Sequence, residues 1–436
     1  MGNDGRISDA PFVLPFYAPH SASLHVGFST IYASPKRIHI SRVGGGWGVS
    51  AKALRRSFGS GGGGEIFFAG RELSRGRGRC KENINPFTLM KIKSLMTLGL
   101  MAASMAVATN DADACSRIVY QGNDSLYIVG RSLDWKTPIP TNLYVYPRGM
   151  AKMGNNTPDA VRWTSKYGAI YAVGYDGGVT EGMNEKGLVV NGLFCKGTIY
   201  VNDSTMNRPP MSLAMFVAWM LDMNATTPEV VEVLRKHDFN ISGATFDGGT
   251  VSTLHWGITD AEGRTAVVEF DHGNIKIYEG HDLIALTNDP TFPQMQAIND
   301  YWMKVGGANM LPGTVKSPDR FVRGYYFDTH VDKTGDAALG FSIIRSILMN
   351  VSVPYLYEVE TEPNVSSTQW RSFANLRDKL YYFDIVTNMG AYYVDLKKCN
   401  FEKGAPVMKL DTSVNTSAVG EANSLLRPSA PFTPMY

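Results

Sequence analysis

Apolar and polar side chains alternate along residues 116–130, and this pattern predicts a β-hairpin with strands at 116–120 and 126–130 joined by a Gly-Asn-Asp turn. Further strand-like runs are separated by turns rich in Gly and Asp. They lie at 142–146, 169–175, 187–194, 253–259, 265–270, 275–278, 283–287, 370–375, 379–385 and 391–396.

A helical period of apolar residues appears in five other segments. They are 211–222, 228–237, 295–304, 318–329 and 337–349. Thr227 before Pro228 and Ser317 before Pro318 are typical of helix starts. Helices grouped between antiparallel strands predict an α+β layered architecture instead of a doubly wound one, and 115–436 reads as a single domain.

Residues 1–89 show no sustained period, because glycine-rich runs interrupt every apolar stretch. Their net charge is +7, whereas 90–436 carries −5. A GxGxxG string at 59–64 lacks the strand and helix that a nucleotide loop requires. We expect 1–89 to be a disordered, non-native upstream extension, with translation starting at Met90; a genuine extension is the alternative.

The segment 90–114 has the three parts of a secretory signal peptide: Lys91 and Lys93, an apolar run at 95–108, and small residues at 112 and 114. The run is shorter than the roughly 20 residues of a membrane-spanning helix. We therefore expect export to the periplasm or beyond, and no stable membrane span. The near-neutral overall charge gives no argument for nucleic acid as a partner.

Cleavage after Ala114 would make Cys115 the first residue of the mature chain. An N-terminal cysteine combines a thiol with an amine that titrates near neutrality and can serve as its base. The alternatives are a structural cysteine, since Cys195 and Cys399 offer partners, and a lipidated cysteine. The five histidines after this point have no metal-binding spacing, so we expect no metal.

Arg131 and Asp134 follow on the second strand of the hairpin, across from Cys115. A cation there favours a thiolate, and a carboxylate can hold an amine. Taken alone, the same two residues also fit a surface ion pair.

Five motifs in order resemble the choloylglycine hydrolase family, the conjugated bile acid hydrolases and penicillin V acylases among the N-terminal-nucleophile hydrolases. They are Cys115, GRSLDW (130–135), MNEKGL (183–188), LTNDP (286–290) and SPDRF (317–321). The resemblance covers 115–436 and is closest to enzymes of Gram-negative gut bacteria. It implies a four-layer αββα sandwich, no cofactor and a homotetramer.

The resemblance also implies roles: Cys115 as nucleophile, Arg131 and Asp134 as its partners, Asn288 as an oxyanion donor and Arg320 as a nearby charge. The chain departs from the family at Phe194, where an asparagine or tyrosine is usual. Phenylalanine offers only its main-chain N–H as a second oxyanion donor.

The expected activity is hydrolysis of a linear amide of a small molecule, with conjugated bile salts as the main expectation. Penicillin V and N-acyl homoserine lactones are the alternatives, and a lipid-anchored binding protein is the alternative outside the enzymes. We expect four apolar residues to line an acyl pocket, although each also fits plain core. They are Met150, Met153, Ile170 and Phe292.

Overall fold

The computed structural model describes residues 31–34, 37–40, 115–200, 208–236, 238–243, 245–246, 250–358 and 366–436. The chain divides into two compact units, Met1–Gly99 and Leu100–Tyr436. The expected signal peptide at 90–114 and most of the expected extension lie outside the described residues. Within the extension, β1 (Ile31–Ser34) and β2 (Arg37–Ile40) form an antiparallel pair.

The second unit contains five α-helices among the described residues: α1 (Leu213–Met223), α2 (Thr227–Lys236), α3 (Phe292–Val305), α4 (Ser317–His330) and α5 (Ala337–Asn350). Its strands begin with β3 (Ser116–Gln121), β4 (Tyr127–Trp135), β5 (Thr141–Tyr146), β6 (Ala151–Met153), β7 (Arg162–Thr164), β8 (Ala169–Gly174), β9 (Gly178–Asn184), β10 (Val189–Phe194), β11 (Pro210–Ser212) and β12 (Asn240–Ser242). They continue with β13 (Thr245–Phe246), β14 (Thr250–Val251), β15 (Leu254–Thr259), β16 (Thr265–Asp271), β17 (Asn274–Glu279), β18 (Ala285–Leu286), β19 (Ser367–Asn375), β20 (Leu380–Ile385), β21 (Tyr392–Asp395), β22 (Met408–Leu410), β23 (Gly420–Glu421) and β24 (Arg427–Pro428).

Two large sheets form the centre of this unit. The first has the order β17-β16-β15-β10-β9-β8-β5-β22-β24, and the second has the order β18-β3-β4-β19-β20-β21-β23. Helices α1 and α2 pack on the first sheet, whereas α4 and α5 pack on the second and α3 packs on α4. Apolar side chains from both sheets meet in one buried cluster. The layers therefore run helix, sheet, sheet, helix, and the expected αββα sandwich is confirmed.

Burial on both faces explains why the central strands are apolar along their whole length. All six residues of β8 are buried, because one face meets α1 and the other meets the second sheet. Gly182 lies in the neighbouring strand β9, and a Cβ there would come within 2.3 Å of the carbonyl oxygen of Ile170. Glycine thus permits β8 and β9 to pair closely at this point.

Local signals set the ends of the helices. Helix α1 begins two residues later than the sequence predicts, because Pro210–Ser212 pairs with β12 as a strand. The Ser212 side chain then accepts a hydrogen bond from the nitrogen of Ala214 and caps the helix. Asp336 caps α5 in the same way through the nitrogens of Ala338 and Leu339. No helix among the described residues has the length and apolar character that crossing a bilayer requires.

Candidate active site

The hairpin β3–β4 places Cys115 directly before the first residue of β3, opposite Leu133 in the register that pairs Ser116 with Ser132. Cys115 is buried, with 4% of its surface exposed. Its thiol donates a hydrogen bond to the carbonyl oxygen of Asp134 at 3.9 Å, and its sulfur accepts one from Nη2 of Arg131 at 3.7 Å. The two charged residues expected across the hairpin thus lie at the thiol.

Arg131 is held from three sides by groups of both sheets. Its Nη2 donates to the carbonyl oxygen of Gly192 at 3.0 Å, its Nε lies 3.4 Å from Oε2 of Glu181, and its guanidinium lies 4.7 Å from the Trp370 ring centre. Glu181 is fully buried and also accepts a hydrogen bond from Tyr381 at 2.5 Å. These contacts fix the cation beside the sulfur.

Burial raises the pKa of the Cys115 thiol, and Arg131 opposes this by favouring the thiolate. Burial likewise raises the pKa of Asp134 from 3.8 to about 6, against the opposing effect of Arg320. The Asp134 carboxylate is fully enclosed and accepts a hydrogen bond from the Ser132 hydroxyl. Perturbed titration of adjacent groups at a cavity is typical of a catalytic site.

Asn288 and Arg320 come from distant parts of the chain and meet at Cys115. Oδ1 of Asn288 accepts from the Cys115 nitrogen at 2.6 Å and from Nη2 of Arg320 at 2.8 Å. Nη1 of Arg320 donates to the Cys115 carbonyl oxygen and to the Ser116 hydroxyl, both at 2.6 Å. The five residues expected at the site, Cys115, Arg131, Asp134, Asn288 and Arg320, are therefore contiguous.

Phe194 completes this group through its main chain. Its carbonyl oxygen accepts from Nδ2 of Asn288 at 2.7 Å. The main-chain nitrogen of Cys195 donates to the carbonyl oxygen of Thr253, just beyond the paired residues Phe194 and Leu254. Hydrogen-bonded and non-hydrogen-bonded pairs alternate along antiparallel strands, so Phe194 and Leu254 form a non-hydrogen-bonded pair. The N–H and C=O of Phe194 therefore face away from β15. The Phe194 N–H thus lies on the side of Asn288.

A largely apolar cavity of about 100 Å³ opens beside the thiol. Aromatic rings of Trp135 and Phe194 form part of its wall, with centroids 5.7 Å apart. The full lining is Cys115, Arg131, Leu133, Asp134, Trp135, Ile139, Gly174, Tyr175, Gly178, Val179, Thr180, Gly192, Phe194, Leu213, Ala214, Ser252 and Leu254.

The four residues expected to line an acyl pocket do not lie on this wall. Met150 packs against the core between α1 and the first sheet, and Met153 lies in the β6–β7 ribbon. Ile170 points between the two sheets, and Phe292 packs among α3, α4 and the second sheet. Met150, Ile170 and Phe292 thus pack in three separate cores, whereas Met153 is half-buried in its ribbon.

Sequence reasoning missed Trp135, Ile139, Val179, Leu213 and Leu254 as cavity residues. Trp135 ends the GRSLDW motif, and its position one residue after Asp134 could have indicated that it lies at the site. The other four lie on two strands, in a loop and at the start of α1, and only the folded chain defines what they face.

The sequence of this chain is similar to a known protein family and to several named proteins. A family described as "Linear amide C-N hydrolases, choloylglycine hydrolase family" matches residues 115–412. A penicillin V acylase of Pectobacterium atrosepticum is 34% identical over 371 residues, covering 78% of this chain and 97% of that protein. A bile salt hydrolase/transferase of Clostridium perfringens is 25% identical over 317 residues, covering 66% and 94%.

Solved structures have the same fold. A penicillin V acylase from Agrobacterium tumefaciens superposes with a TM-score of 0.68 at 38% identity, over 73% of this chain and 99% of that one. A conjugated bile acid hydrolase variant from C. perfringens gives a TM-score of 0.59 at 22% identity, over 70% and 98%, which supports the fold alone.

Proposed function

We infer that this chain, which belongs to the choloylglycine hydrolase family and is a hydrolase of linear C–N amides, uses Cys115 as nucleophile on amides of compact aryl acids such as penicillin V. The observation that carries the nucleophile is the position of Cys115, with its sulfur against Arg131 and its nitrogen against Asn288, at the mouth of an apolar cavity.

The mechanism requires removal of the chain before Cys115, so that its nitrogen becomes a free amine. The amine takes the thiol proton, and the thiolate attacks the amide carbonyl. Nδ2 of Asn288 and the main-chain N–H of Phe194 stabilise the oxyanion. The ammonium then protonates the leaving amine, and water releases the acid from the thioester.

Two features support an aryl acid. The cavity is largely apolar, and Trp135 and Phe194 present ring surfaces that suit a flat phenoxy group. The relatives named penicillin V acylase are 34% and 38% identical to this chain. Penicillin V would be cut at its side-chain amide, with the β-lactam left intact.

Conjugated bile salts are the second candidate, because a relative at 25% identity is named a bile salt hydrolase/transferase. A steroid is broader than a phenoxy group, so a bile salt needs a wider apolar surface for its acyl part. A panel of penicillin V, glycine- and taurine-conjugated bile salts and N-acyl homoserine lactones separates the candidates by kcat/KM. Preference for penicillin V by about tenfold or more supports the proposal, and preference for a bile salt rejects the aryl assignment.

Signal-peptide cleavage after Ala114, export to the periplasm and a homotetramer complete the proposal. Intact-mass analysis and Edman sequencing of the mature protein test the first, because a free Cys115 terminus is required and a lipidated one would indicate an anchored binding protein instead. Light scattering measures the assembly. Cys115→Ala must lose all hydrolysis, with Cys399→Ala, which lies away from the cavity, as the matched control.

A further inference from the structure

Behind the site lies a second cluster of ionisable side chains, formed by Cys195, His255 and Glu269. All three are buried, and one potential ligand atom from each lies within 4.8 Å of the others. The cluster does not line the cavity, but its neighbours in the chain belong to the site. Phe194, which precedes Cys195, lines the cavity. Asn288, which follows the Thr287 that His255 binds, contacts the Cys115 nitrogen.

His255 holds the peptide unit directly before Asn288. Its Nε2 lies 2.6 Å from the carbonyl oxygen of Thr287, and because a carbonyl only accepts, Nε2 is a donor. Its Nδ1 lies 3.2 Å from Oε1 of Glu269, so the second ring nitrogen faces an acceptor as well. The ring therefore acts as a double donor.

Glu269 holds the other end of the same loop. Its Oε1 accepts from the main-chain nitrogen of Phe292, the first residue of α3, at 2.8 Å. Between these two anchors, the Asp289 carboxylate accepts from the nitrogens of Lys196 and Gly197 at 2.7 and 2.8 Å. Segment 287–292 is thus held by hydrogen bonds to β15, to β16 and to the turn after β10.

The protonation of His255 agrees with this geometry. Burial alone lowers its pKa, but Cys195 and Glu269 outweigh burial and raise the pKa to about 10. The ring is then an imidazolium at neutral pH, with both nitrogens protonated. Both ring nitrogens face oxygen acceptors at hydrogen-bond distance, so we interpret the cluster as a hydrogen-bonded anchor.

We propose that His255 is a positioning residue for Asn288: with Glu269 it fixes both ends of segment 287–292 and thereby sets the carboxamide that binds the Cys115 nitrogen and faces the oxyanion. The proposal rests on the function proposed above. A displacement of about 1 Å at such a group can cost about 100-fold in rate.

The test compares kcat and KM for penicillin V in wild type, His255→Gln and a matched control, Ile258→Val, which trims another buried side chain of β15. His255→Gln should lower kcat about 10- to 100-fold while KM stays within about threefold. Ile258→Val should leave kcat unchanged. If His255→Gln lowers the melting temperature but keeps kcat within about twofold, His255 is only structural and the proposal fails.

A second pair of variants decides the question if His255→Gln does not fold. Glu269→Ala removes the acceptor for both Phe292 and His255 and should lower kcat about 10- to 100-fold, whereas Glu269→Gln keeps an acceptor oxygen and should recover most of it. Equal kcat in the two variants overturns the proposal. So does wild-type protein that retains one zinc per chain and loses activity when a chelator removes it.

Failure of the proposed function gives a different result. If wild type cleaves none of the panel amides, the aryl and bile-salt assignments fall together. Crystal structures of wild type and His255→Gln then test the positioning directly. The Asn288 Oδ1 to Cys115 nitrogen distance must lengthen in the variant, and an unchanged distance rejects the proposal.

Discussion

Oδ1 of Asn288 accepts a hydrogen bond from the main-chain nitrogen of Cys115 at 2.6 Å, across 173 residues of sequence. The same oxygen accepts from Arg320, while Nδ2 of the same carboxamide binds the carbonyl of Phe194. One side chain therefore orients the nitrogen of the nucleophile and, in the proposed mechanism, donates to the oxyanion.

Asn288→Ala removes both functions and should lower kcat by about 10²- to 10³-fold, the usual effect of losing an oxyanion donor. Asn288→Asp keeps the acceptor oxygen but loses the donor, so it should also be slow. Steady-state kinetics with penicillin V measure both. Asn299→Ala is the control, because Asn299 is buried in α3 away from the cavity and its Oδ1 has no hydrogen-bond partner among the described residues. Normal kcat in Asn288→Ala would refute the assignment.

Arg131 lowers the pKa of the Cys115 thiol against the effect of burial, so Arg131→Gln should raise that pKa further. Each unit of increase lowers the thiolate fraction at neutral pH about tenfold. The rate of Cys115 alkylation by iodoacetamide, followed against pH, should shift to higher pH in the variant. Arg148→Gln, at a half-exposed arginine paired with Glu185, should leave the profile in place. Coincident profiles for wild type and Arg131→Gln would show that Arg131 does not act on the thiol.

The sequence was sufficient to place Arg131 and Asp134 beside Cys115, because a hairpin with a short turn fixes which residues face each other. The five helices were also predictable from their period and their caps, with bounds that differ by one to three residues. Both results depend on interactions within 30 residues of chain. Such local patterns survive folding because nothing distant competes with them.

Strand β9 was missed because its sequence, GVTEGMN, contains two glycines and a glutamate. Glu181 is buried there only because Arg131, Ser372 and Tyr381 surround its carboxylate, and the sequence does not display those contacts. The four residues expected to line an acyl pocket lie away from the cavity, and the reason is related. When both faces of a strand are buried, an apolar residue on a cavity wall looks the same as one in the core.

Asp134 gives a prediction for stability. Its pKa of about 6 in the folded protein exceeds the unfolded value of 3.8, so the folded state binds the proton more tightly. The resulting stabilisation is present below about pH 4 and is lost as pH rises through about 6. At pH 7 the buried carboxylate therefore costs up to about 3 kcal/mol relative to its protonated form. Asp134→Asn should be more stable than wild type at pH 7.5, with a smaller difference at pH 4.5, and should lose activity.

Urea denaturation at the two pH values measures this difference. Asp176→Asn is the control with the opposite sign. Partial burial raises the pKa of Asp176, but the hydrogen bonds from Lys409 and Asn142 and the charge of Lys409 together outweigh it and hold the pKa below its usual value. Its stability loss should be nearly the same at pH 4.5 and 7.5, because both values lie above the pKa of this carboxyl in the folded and the unfolded state. An Asp134→Asn variant that is less stable than wild type at pH 7.5 would mean that the carboxylate has compensating partners.

Phe194 and Trp135 give the last prediction, which concerns the acyl group. Phe194→Leu removes a ring that lies 5.7 Å from Trp135 but keeps the main-chain N–H of residue 194. Because an aromatic contact contributes about 0.5–1.5 kcal/mol, kcat/KM for penicillin V should fall about 2- to 12-fold. A bile salt has no aromatic ring, so its kcat/KM should change less than about twofold by the same reasoning. Phe383→Leu, between the sheets, should leave the ratio of the two substrates unchanged. An equal loss for both substrates would indicate that the ring only shapes the cavity and does not select the aryl group.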